Sequence, residues 1–182
     1  MTCRRFFTFI LIIFLLLNII LVTEKVKNNT KTTVKEMVIS YEPMMGRIAF
    51  ARNNISLALQ ENQNSELLLH QASAYLDDSY MDYLSLIKFL QRKDIPYESF
   101  HPLLNNAKLF SYVVLADKLS GNDLDKKRLG EINEDLTLIL DTLPKQLKKD
   151  QEITQLRQAF EELKSRYLQR ILFMSRLRAY PK

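Results

Sequence analysis

The chain is predicted to be all-α, with an N-terminal transmembrane helix followed by an antiparallel bundle of four to five helices. Three observations predict this. Apolar residues recur at alternating spacings of three and four through most of the chain, which marks one face of a helix. Only 3 of 182 residues are glycine, too few for the positive-φ turns of a hairpin-rich β fold or for a glycine-cradled phosphate site. A third observation is the run Phe6–Val22, apolar except for Thr8 and Asn18, with Arg4 and Arg5 before it and Lys25 and Lys27 after it.

At about 1.5 Å per residue that run covers roughly 26 Å, slightly less than a ~30 Å hydrocarbon layer, so it can just span one. A buried core helix fits it poorly, because the segment is apolar on every side. Cleavage by a signal peptidase would need small residues after the run, and Ile20-Leu21-Val22-Thr23-Glu24 offers none. The expected organisation is a short basic head (1–5), a signal anchor (6–23), a polar juxtamembrane linker (24–33) and a bundle domain (34–182). Lys and Arg counts flanking the run slightly favour the opposite orientation. The short basic head is nevertheless the usual form of an export signal, so the expected localisation is the cell membrane with the N-terminus cytoplasmic and the bundle outside. Cys3, the single cysteine, precedes the run and so is not a lipid-attachment cysteine. The triplets Asn28-Asn29-Thr30 and Asn54-Ile55-Ser56 would be glycosylation acceptors only in a eukaryotic secretory context.

In the first bundle helix, Val34, Met37, Tyr41, Met44, Ile48, Ala51, Ile55 and Ala58 form the inner stripe. Pro43 either kinks this helix or stands in its first turn, where a missing N–H costs nothing. The expected span is about 43–61, with extension backward open. Asn62 to Ser65 breaks the chain, and Asn64 or Ser65 caps a second helix that runs to about Arg92 with Leu68, Ala72, Tyr75, Leu76, Tyr83, Ile87 and Leu90 inward.

After the irregular segment between Pro96 and Pro102 comes a third helix, about 102–119. Its stretch Tyr112–Ala116 is apolar on nearly all sides, which predicts the most buried element of the bundle. Gly121 suits the left-handed position that ends it. A fourth helix from near Asp123 carries Leu129, Ile132, Leu136, Ile139 and Leu143, with Gly130 inside it at a cost of about 1 kcal/mol relative to alanine. A last helix, about 145–178, carries Leu156, Phe160, Leu163, Tyr167, Ile171, Met174 and Leu177.

Catalytic material is scarce. Two histidines, His70 and His101, and one cysteine cannot build a Cys/His zinc cluster, and no H-E-x-x-H or G-x-S-x-G occurs. No cofactor or metal is expected, and the chain reads as a non-enzyme. His70 reads as a boundary residue of its helix and His101 as a cap of the third. Asp77-Asp78-Ser79-Tyr80-Met81-Asp82 resembles in outline the aspartate-rich helices that hold magnesium. Its doublet is shifted by one from D-D-x-x-D and no second acidic motif accompanies it. It is read as a solvated face, with Asp78 and Asp82 the candidates if a carboxylate-dependent enzyme is entertained.

Tyr75, Tyr80 and Tyr83, with His101, are candidate aromatic contacts for a partner or pocket, since tyrosine joins apolar area to a polar tip. Charge supplies the other candidate surface. Residues 145–182 carry ten Lys and Arg against four acids, the rest of the chain 16 against 17, and no acid follows Glu162. Arg166, Arg170, Arg176 and Arg178 are therefore candidate contacts to a protein partner or an anion. For an exported domain, the anions would be lipid headgroups or acidic wall polymers, and nucleic acid is disfavoured. The leading expectation is a non-enzymatic interaction or assembly component of the cell envelope. The alternative is a ligand-sensing bundle acting through a membrane partner.

Overall fold

The computed structural model describes residues 3–60, 64–148 and 151–179, which form five α-helices with no strand among them: α1 (Cys3–Gln60), α2 (Ser65–Arg92), α3 (Phe100–Leu119), α4 (Lys126–Thr142) and α5 (Glu152–Ala179). The chain divides into two compact units, Met1–Glu36 and Met37–Lys182.

In the first unit the backbone is helical from Cys3, so the polar residues 24–33 continue the helix where a linker was expected. Leu15, Leu16, Ile19, Ile20, Leu21 and Val22 are all more than half exposed. Thr23, whose hydroxyl would be costly beside them in an apolar setting, donates to Ile20 O at 2.8 Å. The described residues include no helix long and apolar enough to cross a membrane. Of the predicted span 6–23, the side chains of 6–14 and of Leu17 lie outside the described part.

The second unit is a bundle of the remainder of α1 with α2 to α5. Met37, Tyr41, Met44, Met45, Ile48, Ala51, Ile55 and Ala58 are buried, as the three-and-four spacing requires. Pro43 lies within α1, which the helix accommodates without a break at that point. The α1/α2 pairing is antiparallel: Arg47 meets Asp82, Phe50 stacks on Tyr75 at 5.6 Å, and Asn54 reaches Gln71. The α2/α3 pairing is antiparallel too, through Ser73 with Ser111, Asp77 with Lys108, and Tyr80 with His101. Helix α4 runs antiparallel to α1, with Tyr41 donating to Pro144 O at 2.6 Å and Arg52 reaching Thr137. Phe100 meets Phe160 edge-on at 5.7 Å and joins the start of α3 to α5.

Helix ends explain several boundaries. At the end of α2, Ile95 N–H reaches back to Leu90 O and Asp94 takes φ 50°, the left-handed position usually given to glycine. Gly121 fills the same role after α3 at φ 83°, with Asn122 N–H on Asp117 O. Helix α4 starts at Lys126, three residues later than expected, because Asp125 accepts from Arg128 N–H at 2.9 Å and so caps it. Residues 143–148 are not helical, and α5 starts at Glu152 instead of 145. Backbone groups of this segment are held by side chains: Leu147 N–H by Glu42 and Lys148 N–H by Gln155.

Two expected faces turn out differently. The inner stripe of α2 is Leu69, Ala72, Ser73, Leu76, Ser79, Tyr83, Leu86, Phe89 and Leu90, so Leu68, Tyr75 and Ile87 are not part of it. In α3 the buried residues are Phe100, Leu103, Leu104, Ala107, Ser111, Val114 and Leu115, whereas Tyr112 and Val113 are exposed. The apolar run there does not mark the most buried element. It marks a helix with apolar residues on two opposite faces, one of them turned to solvent.

Candidate functional site

The acidic run on α2 is consumed by bonds to neighbouring helices. Arg47 of α1 pairs with Asp82 and lies 3.8 Å from Asp78, while Lys108 of α3 holds Asp77 at 2.7 Å and stands 4.6 Å from the Tyr80 ring centroid. These carboxylates cross-link three helices, so the run is not a purely solvated face. Each of them has a cation where a metal would need a free carboxylate oxygen pair. Among the described residues no group of three or more His, Cys, Asp or Glu could hold a metal ion.

Of the four aromatic candidates, the fold brings together Tyr80, Tyr83 and His101. The Tyr83 ring lies 6.1 Å from Tyr80, 5.7 Å from His101 and 5.0 Å from Phe100. Tyr83 is fully buried, so it is a core residue and not a surface contact. Burial pushes its hydroxyl pKa upward, the nearby Tyr97, Tyr80 and Glu98 add to this, and the hydroxyl has no hydrogen-bond partner among the described residues. Tyr75 stands apart on the α1 side, partly exposed and stacked on the exposed Phe50.

The basic candidates also divide. Arg166 pairs with Glu162 one turn earlier at 2.6 Å. Arg170 bonds Asp135 at 2.6 Å and Glu134 at 3.1 Å, both on α4. Burial pushes the Asp135 pKa up to about 6, against the pull of Arg170 and with help from Glu134 and Glu131. The absence of acids after Glu162 in sequence therefore does not leave Arg170 open to an outside anion. Arg176 and Arg178 belong to α5, but their side chains lie outside the described part.

What the fold does present is the outer face of α3. Asn105, Leu109, Tyr112, Ala116 and Leu119 follow one another at spacings of four, three, four and three, and Val113 lies alongside. Leu109 is 50% exposed, Tyr112 41%, Val113 42% and Leu119 59%. None of these six positions is charged. Beyond Leu119 the apolar surface continues into an open depression of about 470 Å³ lined by Asn64, Glu66, Leu67, His70, Leu115 and Leu119. Of the charged groups beside it, Lys108 is paired with Asp77 and Arg128 lies over the Phe110 ring at 5.8 Å, while Asp117 and Lys118 stand at its C-terminal end. The inner stripe of α3 obscures this second one in the sequence, although the 4-3-4-3 spacing that reveals it is present there.

No protein-family model matches the chain, and neither a curated protein nor a solved structure is significantly similar to it.

Proposed function

We propose that the protein is a single-pass, membrane-anchored helical bundle that acts as a non-enzymatic interaction or assembly component of the cell envelope. Residues 6–23 are the anchor, the N-terminus is cytoplasmic and the bundle lies outside. The observation that carries the interaction reading is the uncharged apolar outer face of α3. A helix with apolar residues all round ordinarily belongs in an interior, and contiguous exposed apolar surface of this kind marks a contact site. The membrane reading is supported by the composition of Phe6–Val22 and by the exposure of Leu15, Leu16, Ile19, Ile20, Leu21 and Val22.

A reporter fused after Lys182 tests the topology: activity confined to the outside is expected, and activity confined to the cytoplasm would reverse the orientation. Proximity labelling from native membranes tests the interaction. A neighbour recovered with the natural chain and lost with Leu109→Glu/Val113→Glu supports it, whereas a neighbour set unchanged by that variant counts against the α3 face. The ligand-sensing alternative drew on the tyrosine cluster, and the mutual packing of Tyr80, Tyr83 and His101 gives it no added support.

A further inference from the structure

We infer that α5 beyond Leu163 is a strap that lifts from α4 as a unit, and that Arg170, held by Asp135 and Glu134, is its latch. The strap is independent of the outer face of α3 and of any partner there.

Burial divides α5 in two. Leu156, Ala159, Phe160 and Leu163 are buried at the spacing of an inner stripe, and Phe160 meets Phe100 of α3. From Lys164 to Leu172 no side chain is buried, and Leu168, Ile171 and Leu172 stand exposed although they are apolar. A helix is kept on a bundle mainly by the apolar face it buries, so the first half of α5 is firmly seated and the second is lightly held. The two helices run antiparallel: residues 140–145 share a depression with Gln155, Gln158, Ala159 and Glu162, and Asp135 meets Arg170. The second half therefore lies along the earlier turns of α4. Among the described residues its ion pairs to another helix are all made by Arg170. Arg166 pairs within α5, with Glu162, and adds no tie.

The latch is of a kind that pH adjusts. Asp135 is 19% exposed and Arg170 26%, so ionising the carboxyl there carries a desolvation cost that the ion pair only partly offsets. The charges acting on Asp135 are Arg170 from α5, which favours ionisation, and Glu134 and Glu131 from its own helix, which oppose it. Arg52 of α1 reaches Thr137, more than half a turn further round α4. With the strap lifted, the carboxyl returns to water and to its ordinary value of about 4. With the strap down, burial holds it at about 6, so seating is favoured in acid and weakens as the pH rises through that value. Linkage across the two values makes lifting about tenfold more frequent at pH 7.5 than at pH 5.

Amide hydrogen exchange of the full chain in detergent, read by mass spectrometry at both pH values and corrected for intrinsic rates, tests the strap. In the natural chain, peptides within 164–179 should open together, be less protected than those within 152–163, and open about tenfold more at the higher pH. Asp135→Asn should abolish that pH dependence. Arg170→Gln should raise the opening of 164–179 by about tenfold or more at pH 7.5 and by less at pH 5, with 152–163 unchanged. Equal opening of the two halves in every protein would make α5 one cooperative element and overturn the strap. Opening of 164–179 that ignores pH in the natural chain, or protection that decays gradually toward the C-terminus and is indifferent to Arg170→Gln, would be ordinary fraying of a helix end and overturn the latch.

Discussion

Arg170 on α5 and Asp135 on α4 are joined at 2.6 Å, with Asp135 only 19% exposed, so one of the four cations that seemed available to a partner is an internal fastening between the last two helices. Glu134 shares the same guanidinium at 3.1 Å. Burial raises the Asp135 pKa to about 6, so the folded protein holds a proton there that the unfolded chain has already lost above about pH 4. Stability from this group is fully present below that unfolded value and is lost as the pH rises through about 6. In urea titrations, the difference between the natural chain and Asp135→Asn should therefore change between pH 4 and 6.5 and level off above 7. A difference constant over that range would contradict the assignment. Arg170→Gln removes the cation that holds the value down and should move the midpoint of this change upward.

Two buried tyrosines should respond oppositely to loss of the hydroxyl. Tyr41 donates to Pro144 O at 2.6 Å and ties α1 to the segment after α4. Tyr41→Phe removes that bond and should cost about 1 to 1.5 kcal/mol. The Tyr83 hydroxyl is buried without a partner among the described residues, so Tyr83→Phe removes an unsatisfied group and keeps the ring against Phe100. It should be neutral or stabilising by up to about 1 kcal/mol. Urea midpoints of the two variants decide this, and an equal loss in both would mean that the Tyr83 hydroxyl is bonded to water.

Gly130 in α4 and Gly46 in α1 are helical glycines with open space where a Cβ would stand. Nothing steric requires glycine at either, and each weakens its helix through the entropy it restores to the unfolded chain. Gly130→Ala and Gly46→Ala should each add about 0.5 to 1 kcal/mol. Gly121→Ala should do the reverse by roughly 1 to 2 kcal/mol, because φ 83° places any side chain in the left-handed region. Thermal melts that ranked Gly121→Ala with the other two would contradict the cap assigned to it.

The five helices and the inner face of α1 were legible because burial of a helix face leaves a direct record in spacing, as Met37, Tyr41, Met44, Ile48, Ala51, Ile55 and Ala58 show. The same record becomes ambiguous where apolar residues surround a helix. Tyr112 to Ala116 satisfy both an inward and an outward stripe, and only the placement of α2 and α4 around α3 decides that Ser111, Val114 and Leu115 go in. Charges are less legible still, since a charge run on one helix carries no trace of its partner on another. Asp77, Asp78 and Asp82 resemble a solvated face until Lys108 and Arg47 arrive from α3 and α1. Arg170 is a similar case, because the acids that hold it lie 35 and 36 residues earlier. The last helix was expected from about 145, just after Pro144, whereas residues 145–148 are not helical. The Leu147 and Lys148 N–H groups are held by Glu42 and Gln155, partners that no local spacing encodes.

Arg47 makes the clearest case for reading the α2 aspartates as structural. Asp82 is 24% exposed and directly paired with it, whereas Asp78 is 65% exposed and lies 3.8 Å away. The screened pair should contribute little and the sheltered one more, so Asp78→Asn should cost less than about 0.5 kcal/mol and Asp82→Asn about 1 to 2 kcal/mol. Arg47→Met keeps most of the apolar stem and leaves Asp82 without its cation, for a loss of about 1 to 3 kcal/mol. If the two act as one unit, the double variant Arg47→Met/Asp82→Asn should lose less than the sum of the single losses, with a coupling of about 1 kcal/mol in a double-mutant cycle. A magnesium site built on the same carboxylates behaves differently: millimolar Mg²⁺ would then raise the melting temperature of the natural chain, and Arg47→Met would strengthen that response by freeing the ligands. A melting temperature unmoved by Mg²⁺ in both proteins, together with the coupling, is the outcome that the cross-link between α1 and α2 requires.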